Sequence, residues 1–411
     1  MKSSIYLYVL ILAGFASCSR SLNPTGAPVT ELQPVMPAMS MQHAYYADND
    51  SLKLHLLIED NNGVLDAGKH VSQVLYEVRS GKNERDALLL RDSVLIGTNR
   101  VVDSEGGLYI TLQVPATVVR KPNVVNLQVW MQLGDDEQMG SLFQLPLNAE
   151  MMMKRHMLLE AASGRPIIRQ YITTSHKVKI KSTADSSSIA VLYMNKGFAP
   201  ALPPMSTRPV KQMRTLPVAD TLFVSTEDTL QLNKEGLYLL WADKPYAEGM
   251  LVQPWAYPDV TMANELIEPL IYLTTSEERK KLYETADPKK AVDAFWLQVA
   301  GGNVVVAKQL IKEFYGRVET ANKLYTSHEA GWATDRGMLH IIFGQPDEVV
   351  QANGDLIWTY RQTRVRPYIK FIFKKKPNTF TENHYELVRL RDYQEVWYST
   401  VAKWRAGITE I

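Results

Sequence analysis

The chain has 411 residues, with 45 basic and 44 acidic side chains, and 45% of its residues are hydrophobic. The formal net charge of +1 excludes the global basic excess that is typical of nucleic-acid-binding proteins. The length allows roughly two or three domains. After the N-terminus no apolar run reaches about 18 residues, so the sequence predicts no second membrane span.

The N-terminus has the pattern of a secretory signal. Lys2 supplies a positive charge, an apolar run follows over residues 5–16, and small residues precede Cys18. An apolar run of about a dozen residues is too short for a transmembrane helix and suits a signal-peptide core. The cleavage region resembles a lipobox, which predicts a signal peptide over residues 1–17 and lipidation of Cys18. A plain secretory signal that contains a cysteine is the alternative.

The cysteine count supports lipidation, because Cys18 is the only cysteine in the chain. No disulfide can form within the chain, and two or three acyl chains on one cysteine anchor a protein stably. Ser19 stands where enteric inner-membrane lipoproteins have aspartate, and no acidic cluster resembles the surface-export signal of Bacteroidota lipoproteins. We therefore expect a lipid-anchored outer-membrane protein, on the periplasmic side rather than the cell surface.

The next segments predict a tether and a first β domain. Residues 18–42 contain four prolines and no apolar periodicity, which is typical of a flexible tether. Between 43 and 150, four segments alternate apolar and polar residues and are separated by Asp, Asn and Gly turns: 52–58, 74–78, 107–114 and 124–131. This pattern predicts an antiparallel β-sandwich of immunoglobulin-like type.

Residues 165–256 predict a second β-sandwich-like domain. Its candidate strands are 177–181, 188–193, 229–232 and 236–242. A loop over residues 199–217 contains five prolines and is too long for a simple hairpin. Such a loop is either a docking surface, since polyproline segments often serve as ligands, or a plain insertion.

Residues 258–411 combine helices with later strands, which predicts a C-terminal α+β domain. Thr275 and Glu278 fit a capping box, Asp287 before Pro288 fits a helix start, and Asn303 can cap a third helix. The candidate strands are 338–343, 356–360, 368–373 and 385–390, and a last helix is predicted over 392–405. The predicted fold is therefore multidomain, with two N-terminal antiparallel β-sandwiches before an α+β domain.

A short motif carries a family resemblance. Residues 331–337, Gly-Trp-Ala-Thr-Asp-Arg-Gly, contain the pattern after which the GWxTD domain family is named. Further stretches also resemble that family: 287–288, 313–318, 321–322, 341–348 and 357–360. The resemblance covers about 260–400, and the two β-rich blocks before it resemble the layout of GWxTD lipoproteins from Bacteroidota. It implies an envelope lipoprotein and no particular biochemical activity.

The motif residues have plausible structural roles. Gly331 and Gly337 permit positive φ around a turn, and Thr334 or Asp335 can hold that turn through a side-chain hydrogen bond. We expect Trp332 to be largely buried where the third helix meets strand 338–343. We expect Asp335 to accept backbone hydrogen bonds or to pair with an arginine of the same domain. The alternative is a partner or ligand site at Trp332, Asp335 and Arg336.

Motifs for chemistry are weak. The eight histidines lack zinc-ligand spacing, and the sequence has no HExxH, no P-loop and no GxSxG. We therefore predict no catalytic residue, no metal site and no cofactor. His328 and His340 lie on either side of the motif, and with Asp335 they form the one acid–base or metal cluster worth testing.

One charge pattern is a candidate interaction surface. Seven basic residues lie between Arg361 and Lys376 without an acid, and three aromatic residues alternate with them. Such a segment either binds an anionic lipid, a glycan or an acidic protein face, or it is the solvent face of a hairpin that protects a sheet edge. The candidate contacts are Arg364, Arg366, Lys370 and Lys374.

Two functions follow as hypotheses. The first is a non-enzymatic lipoprotein that acts as an interaction or scaffold module in an envelope or secretion assembly, with a membrane anchor and a protein partner. The second is a periplasmic enzyme or ligand-binding protein that acts on a glycan or peptide near the motif.

Overall fold

A computed structural model describes nine ranges of the chain: 39–60, 71–94, 100–102, 107–132, 138–183, 188–207, 216–352, 354–361 and 368–408. The chain divides into a short unit, Met1–Leu32, and a large unit, Gln33–Ile411, and every described residue belongs to the large unit. The predicted signal peptide and Cys18 lie outside the described residues. None of the described helices is long and apolar enough to cross a membrane.

Two antiparallel four-stranded sheets form the first block. One sheet consists of β1 (Met39–Asp48), β2 (Ser51–Asp60), β5 (Arg100–Val102) and β6 (Leu108–Pro115), in the order β1-β2-β6-β5. The other consists of β3 (Val71–Arg79), β4 (Leu88–Val94), β7 (Val124–Gln132) and β8 (Gln138–Pro146), in the order β4-β3-β7-β8. A short helix, α1 (Ala116–Val119), follows β6. The antiparallel β structure predicted for this block is confirmed.

The burial pattern of these strands explains why they could be predicted from the sequence. Along β6 every second residue is buried, as expected for a strand with one face on a core. Leu54 of β2 and Leu127 of β7 belong to one cluster of buried residues, so the two sheets share a core. Strand β1 begins at Met39, four residues before the predicted domain start, and the end of the predicted tether therefore pairs with β2.

The second block also contains two sheets. Its strands are β9 (His156–Glu160), β10 (Tyr171–Thr173), β11 (Lys177–Ser182), β12 (Ser188–Met194), β13 (Asp220–Ser225), β14 (Thr229–Gln231), β15 (Gly236–Leu240) and β16 (Glu248–Gln253). They form a five-stranded sheet, β10-β16-β15-β12-β13, and a three-stranded sheet, β14-β11-β9. Only β10 and β16 pair in parallel among these described strands. Val178 of β11 and Leu240 of β15 share one core.

Helices enter in the third block. They are α2 (Ala263–Ile267), α3 (Ser276–Glu284), α4 (Pro288–Val299), α5 (Val304–Tyr325), α6 (Asp335–Phe343) and α7 (Gln394–Arg405). An antiparallel sheet, β17-β18-β19-β20, consists of β17 (Glu348–Ala352), β18 (Asp355–Tyr360), β19 (Ile369–Lys375) and β20 (Tyr385–Leu387). Trp296 of α4, Phe314 of α5 and Phe371 of β19 are fully buried in the common core. The predicted combination of helices and strands is confirmed.

The predicted helix starts are confirmed by their caps. Thr275 accepts a hydrogen bond from the backbone N–H of Glu278 at 3.2 Å, and the Glu278 side chain accepts one from the Thr275 N–H at 2.8 Å. Asp287 caps α4 through the Lys290 N–H at 3.1 Å, and Asn303 caps α5. Each cap satisfies N–H groups that have no partner within the helix.

The strand predicted over residues 338–343 is wrong, because this segment is the helix α6. Met338, Leu339, Ile341 and Ile342 are all fully buried. A segment that is apolar on every face has no periodicity, so its sequence cannot distinguish a buried helix from a buried strand. Thr334 is the N-cap of α6, and its side chain accepts a hydrogen bond from the Gly337 N–H. A threonine at this position is a sequence signal for a helix start, which the strand prediction did not use.

A buried carboxylate joins the three blocks. Glu59 of β2 is 3% exposed and pairs with Arg169 at 2.7 Å and with Lys323 of α5 at 3.1 Å. These partners come from the second and third blocks. One buried carboxylate therefore contacts cations from both other blocks, and the loss of either cation is expected to be costly because the carboxylate is desolvated.

Candidate functional site

The motif residues lie between two helices of the third block. A turn of 3-10 helix, Gly331–Ala333, follows α5 and leads directly into α6. The predicted turn between a helix and a strand is thus a turn between two helices. This connection places the whole motif against the middle of the domain, where most of its residues are buried.

The two glycines permit close packing, and the expected positive φ is wrong, since neither Gly331 nor Gly337 adopts one. A Cβ atom on Gly331 would collide with the carbonyl oxygen of Ala321 in α5, and a Cβ atom on Gly337 would collide with the carbonyl oxygen of Gly331. Glycine is required where backbones approach this closely. The motif therefore stacks α6, the turn and α5 with no side chain between them.

The backbone of the turn is satisfied by side chains. The N–H of Gly331 donates to the hydroxyl oxygens of Thr326 at 3.0 Å and Tyr257 at 3.2 Å. The N–H of Trp332 donates to Asn322 Oδ1 at 3.0 Å. Buried N–H groups without partners are costly, so these three side chains fix the path of the turn.

Thr334 holds the turn through its side chain, as predicted for Thr334 or Asp335, and it also caps α6. Its hydroxyl donates to the Gly331 carbonyl at 2.9 Å and accepts from the Gly337 N–H at 3.0 Å. Threonine at this position therefore closes the turn and opens α6 with one side chain.

Asp335 makes both of the contacts expected of it. It accepts a hydrogen bond from the Leu387 N–H at 2.7 Å and forms a two-pronged ion pair with Arg389. Burial raises the pKa of Asp335, and Arg389 and the Leu387 N–H oppose that shift. The carboxylate thus connects the start of α6 to the strand β20 and the segment that follows it.

Trp332 is partly buried and packs against the domain core. Its ring meets the ring of Tyr272 edge-on at 6.3 Å, and the Tyr272 hydroxyl donates to the Trp332 carbonyl at 3.2 Å. Part of the indole remains accessible, which leaves Trp332 as a candidate contact on the surface.

Arg336 lies inside the domain. Its guanidinium lies over the rings of Tyr325 at 5.2 Å and Tyr385 at 4.7 Å. It also donates to Asn383 at the carbonyl oxygen, 3.1 Å, and at Oδ1, 2.9 Å. Cation–π contacts of a desolvated arginine are strong, so this side chain stabilises the fold around the motif.

The histidines near the motif have separate surroundings. His328 packs edge-on against Phe198 at 4.7 Å and His384 at 4.9 Å, while His340 packs against Tyr325 at 5.7 Å. Burial lowers the pKa of each to about 3, with further contributions from His384 and Arg317 respectively. In the described ranges no hydrogen bond joins either histidine to Asp335, and no three His, Cys, Asp or Glu residues are arranged to hold a metal.

Glu329, beside the motif, has an unusual carboxyl group. Burial raises its pKa to about 8, and the charge of Asp335 adds to the shift. At pH 7 this carboxyl group is therefore mainly neutral. Sequence patterns assigned no role to this acid.

The basic segment lies on an exposed part of the last sheet. Lys374 of β19 pairs with Asp355 of β18 at 2.5 Å, and Arg361 lies 3.9 Å from Glu348 of β17. Lys370 lies 5.0 Å from the ring centre of Tyr368. Acids that are distant in sequence thus face two of these cations, Arg361 and Lys374. Two predicted contacts, Arg364 and Arg366, lie outside the described residues.

Sequence reasoning missed a contact between the proline-rich loop and the motif. The Ala201 N–H donates to the carbonyl oxygen of Ala333 at 2.7 Å, and Arg389 donates to the Leu202 carbonyl oxygen at 3.1 Å. The signal for it was the length of the loop, because long ordered loops are usually functional. The loop and the Asp335–Arg389 pair therefore form one site.

Comparison with known families agrees with this architecture. Residues 236–406 match the GWxTD domain family, so the C-terminal part of the chain is a GWxTD domain. The match begins at β15, earlier than the predicted boundary at 258. Within the matched range, the Gly249 N–H of β16 donates to the Phe380 carbonyl at 2.7 Å, so β16 contacts the later part of the domain. No curated protein matches the chain.

Proposed function

We propose that this chain, with its C-terminal GWxTD domain, is a lipoprotein anchored through Cys18 in the outer membrane and exposed to the periplasm. It acts as a non-enzymatic interaction or scaffold module in an envelope or secretion assembly. The signal pattern before Cys18 supports the anchor, and palmitate is the expected type of acyl chain. The two β-rich blocks act as spacers, the first as an immunoglobulin-like sandwich, which the core shared by its two sheets supports.

The observation that carries this proposal is the state of Asp335. The motif contains one carboxylate, and that carboxylate is 9% exposed and is engaged by Arg389 and the Leu387 N–H. A general base must reach the proton that it removes. Asp335 instead supports the Arg389 guanidinium, which faces a main-chain carbonyl group. A carboxylate that positions an arginine against a main-chain carbonyl group fits a recognition site better than a catalytic site.

Anchoring is tested by metabolic labelling with palmitate. The wild-type chain is expected to incorporate the label and to fractionate with outer membranes, whereas Cys18→Ser is expected to lose both properties. Ser21→Ala, three residues away, is the matched control and is expected to behave as wild type. Labelling of Cys18→Ser at the wild-type level would contradict the anchor.

Interaction is tested by affinity purification from envelopes solubilised in mild detergent. A stable protein partner is expected with the wild-type chain. Repeated recovery of the lipoprotein alone would contradict the scaffold role.

Glu329 favours a second candidate, a periplasmic enzyme or ligand-binding protein acting on a glycan or peptide. Burial raises the pKa of the Glu329 carboxyl group to about 8, and the charge of Asp335 adds to the shift; a carboxylic acid that stays protonated near neutral pH can donate a proton or a hydrogen bond. The test is incubation with purified peptidoglycan, with mass spectrometry of released products. Product release that is lost in Glu329→Gln would support this candidate, and no release by wild type would remove it.

A further inference from the structure

The proline-rich loop makes a long excursion that its own sheet does not require. Strands β12 and β13 pair directly, with Tyr193 opposite Asp220, and the Ala219 N–H donates to the Tyr193 carbonyl at 2.8 Å. Two antiparallel neighbours can be joined by about two to five residues. Here 25 residues separate the two strands. The extra length carries residues 198–206, which we call the strap, to the GWxTD motif.

The strap is bound through its main chain on the GWxTD domain. The Ala201 N–H donates to the Ala333 carbonyl at 2.7 Å, and the Leu390 N–H donates to the Pro204 carbonyl at 3.1 Å. Between these two bonds, Arg389 donates to the Leu202 carbonyl at 3.1 Å. We call the surface formed by Ala333, Arg389 and Leu390 the groove. A bound segment whose N–H and C=O groups are both used has the hydrogen-bond pattern of extended-peptide recognition.

The motif positions the hydrogen-bonding groups of this groove. The same terminal nitrogen of Arg389 that pairs with Asp335 also donates to the Leu202 carbonyl. Ala333, the variable position within the motif, offers its carbonyl oxygen to the strap. A preorganised donor and acceptor reduce the entropy that peptide binding costs. The aspartate of the motif is therefore a positioning residue for peptide recognition.

The side chains of the strap define the chemistry that fits. The segment Phe-Ala-Pro-Ala-Leu-Pro-Pro-Met-Ser carries no charge. Pro204 is buried, and Ala201 and Met205 pack against the core of the GWxTD domain. Phe198 lies at the other end, 4.7 Å from the His328 ring and 6.0 Å from the Phe380 ring. Leu202 is 38% exposed, so the packed positions of the strap are occupied by alanine, proline, methionine and, at one end, phenylalanine.

We propose that the groove is a recognition site for an extended, uncharged, proline-containing peptide segment, and that the strap is a resident ligand which a partner's segment replaces. This inference rests on the proposed interaction function and identifies the chemistry of the partner. The strap belongs to no sheet of the described chain. Its release therefore breaks the few contacts described above and leaves both neighbouring strands paired.

A labelled peptide tests the groove directly. The probe is the fluorescein-labelled nine-residue peptide of the strap sequence, and the receptor is the full chain with residues 199–206 replaced by Gly and Ser at equal length. Saturable binding is expected, at least about tenfold tighter than to the wild-type chain, where the strap competes at high effective concentration. A peptide with proline in place of Ala201 lacks the N–H donor and is expected to bind about tenfold more weakly.

The absence of peptide binding in a folded receptor would overturn the proposal. If the strap-replaced chain keeps the wild-type circular dichroism and thermal melt but shows no saturable binding of the peptide, the groove is not a recognition site. Equal binding of the proline-substituted peptide would equally exclude the main-chain register assigned to Ala201.

A second variant closes the groove without removing the strap. Because Cys18 is the only cysteine, the pair Ala201→Cys and Ala333→Cys, at two positions joined by a main-chain hydrogen bond of 2.7 Å, is oxidised to a disulfide across the strap, and loss of free thiol verifies that the bond has formed. The oxidised full chain is expected to lose both peptide binding and partner capture, and reduction is expected to restore them. If the oxidised chain captures the wild-type partner unchanged, the groove inference fails while the interaction function stands. If wild type captures no partner while the strap-replaced chain binds the peptide, the interaction function fails and the groove inference stands.

Discussion

Two segments of the GWxTD domain attracted attention in the sequence, and they differ in how their side chains are used. In the motif segment, residues 331–337, nearly every polar group is engaged inside the domain. In the basic segment, residues 361–376, the described cations lie on the outside of a sheet, and several face acids or an aromatic ring. The motif segment therefore contributes mainly to packing inside the domain, and the basic segment contributes mainly to its surface.

This difference indicates which part of the domain can contact another peptide segment. The motif itself has little free surface, but it fixes Arg389 and the Ala333 carbonyl, which contact the strap. A packed segment of this kind supplies rigid hydrogen-bonding groups to a neighbouring surface.

The largest expected effect is that of Gly331→Ala or Gly337→Ala. Each added methyl group meets backbone atoms, which cannot move aside as a flexible side chain can. We expect either change to cost more than about 4 kcal/mol, beyond the usual range for point mutations. Urea or thermal unfolding of the full chain measures the effect.

Gly316→Ala is the matched control for these glycines. Gly316 lies inside α5, and no neighbouring atom lies within 4 Å of a Cβ built there. Alanine is the better helix former by about 1 kcal/mol, so this change is expected to stabilise the protein slightly. A similar loss in all three variants would show that steric collision is not the cause.

The next effect is that of Asp335→Asn. The change leaves the Arg389 guanidinium, whose side chain is 17% exposed, without its charged partner. Removing one member of a largely buried pair is expected to cost about 2–4 kcal/mol. The double variant with Arg389→Gln should cost less than the sum of the two single changes, because the isolated charge is then absent. Additive losses in the double-mutant cycle would contradict a direct pair.

The pH dependence of stability is expected to reach a comparable size within about two pH units below about 6.5. Burial lowers the pKa of His328 and His340 to about 3, while an unfolded histidine titrates near about 6.5. The unfolded state therefore binds more protons in this window, and each histidine costs about 1.4 kcal/mol per unit as the pH falls below about 6.5.

Glu329 acts in the opposite direction. Its folded pKa is raised to about 8, so its contribution is present at acidic pH and is lost as the pH rises through that value. Glu329→Gln is expected to lose more stability than wild type between pH 7 and pH 5.5. Unfolding free energies at both pH values measure this, and parallel changes in the two proteins would show that Glu329 titrates normally.

The sequence predicted most elements where one face of a strand or helix is buried. The strand β6 was identified from its alternation of buried and exposed residues. The helices α3 and α4 were identified from their capping residues, and α5 from its cap together with its apolar spacing. Helix α6 is buried on all sides, and its sequence carries no such order. Local patterns therefore fail where the environment is uniform.

The site could be predicted only in part, for a related reason. Thr334 makes a hydrogen bond within its own turn, which its chemistry suggests. Asp335 makes the expected kinds of contact, but its partners Leu387 and Arg389 are more than 50 residues away and could not be named from the sequence. The close approach of Gly331 to Ala321 and the arrival of the strap at Ala333 depend on long-range packing. No periodicity within one segment encodes which distant backbone will lie against it.

The smallest expected effect is that of Lys374→Ala in the basic segment. Its pair with Asp355 is partly solvated, with side-chain exposures of 50% and 23%, and exposed ion pairs contribute about 0–1 kcal/mol. We expect a loss below about 0.5 kcal/mol that decreases further in 1 M salt, where screening is strong. Asp355→Ala is the matched partner, and the same small loss is expected because the pair is mutual. A cost comparable to that of Asp335→Asn would mean that the basic segment, like the motif, is part of the packing of the domain.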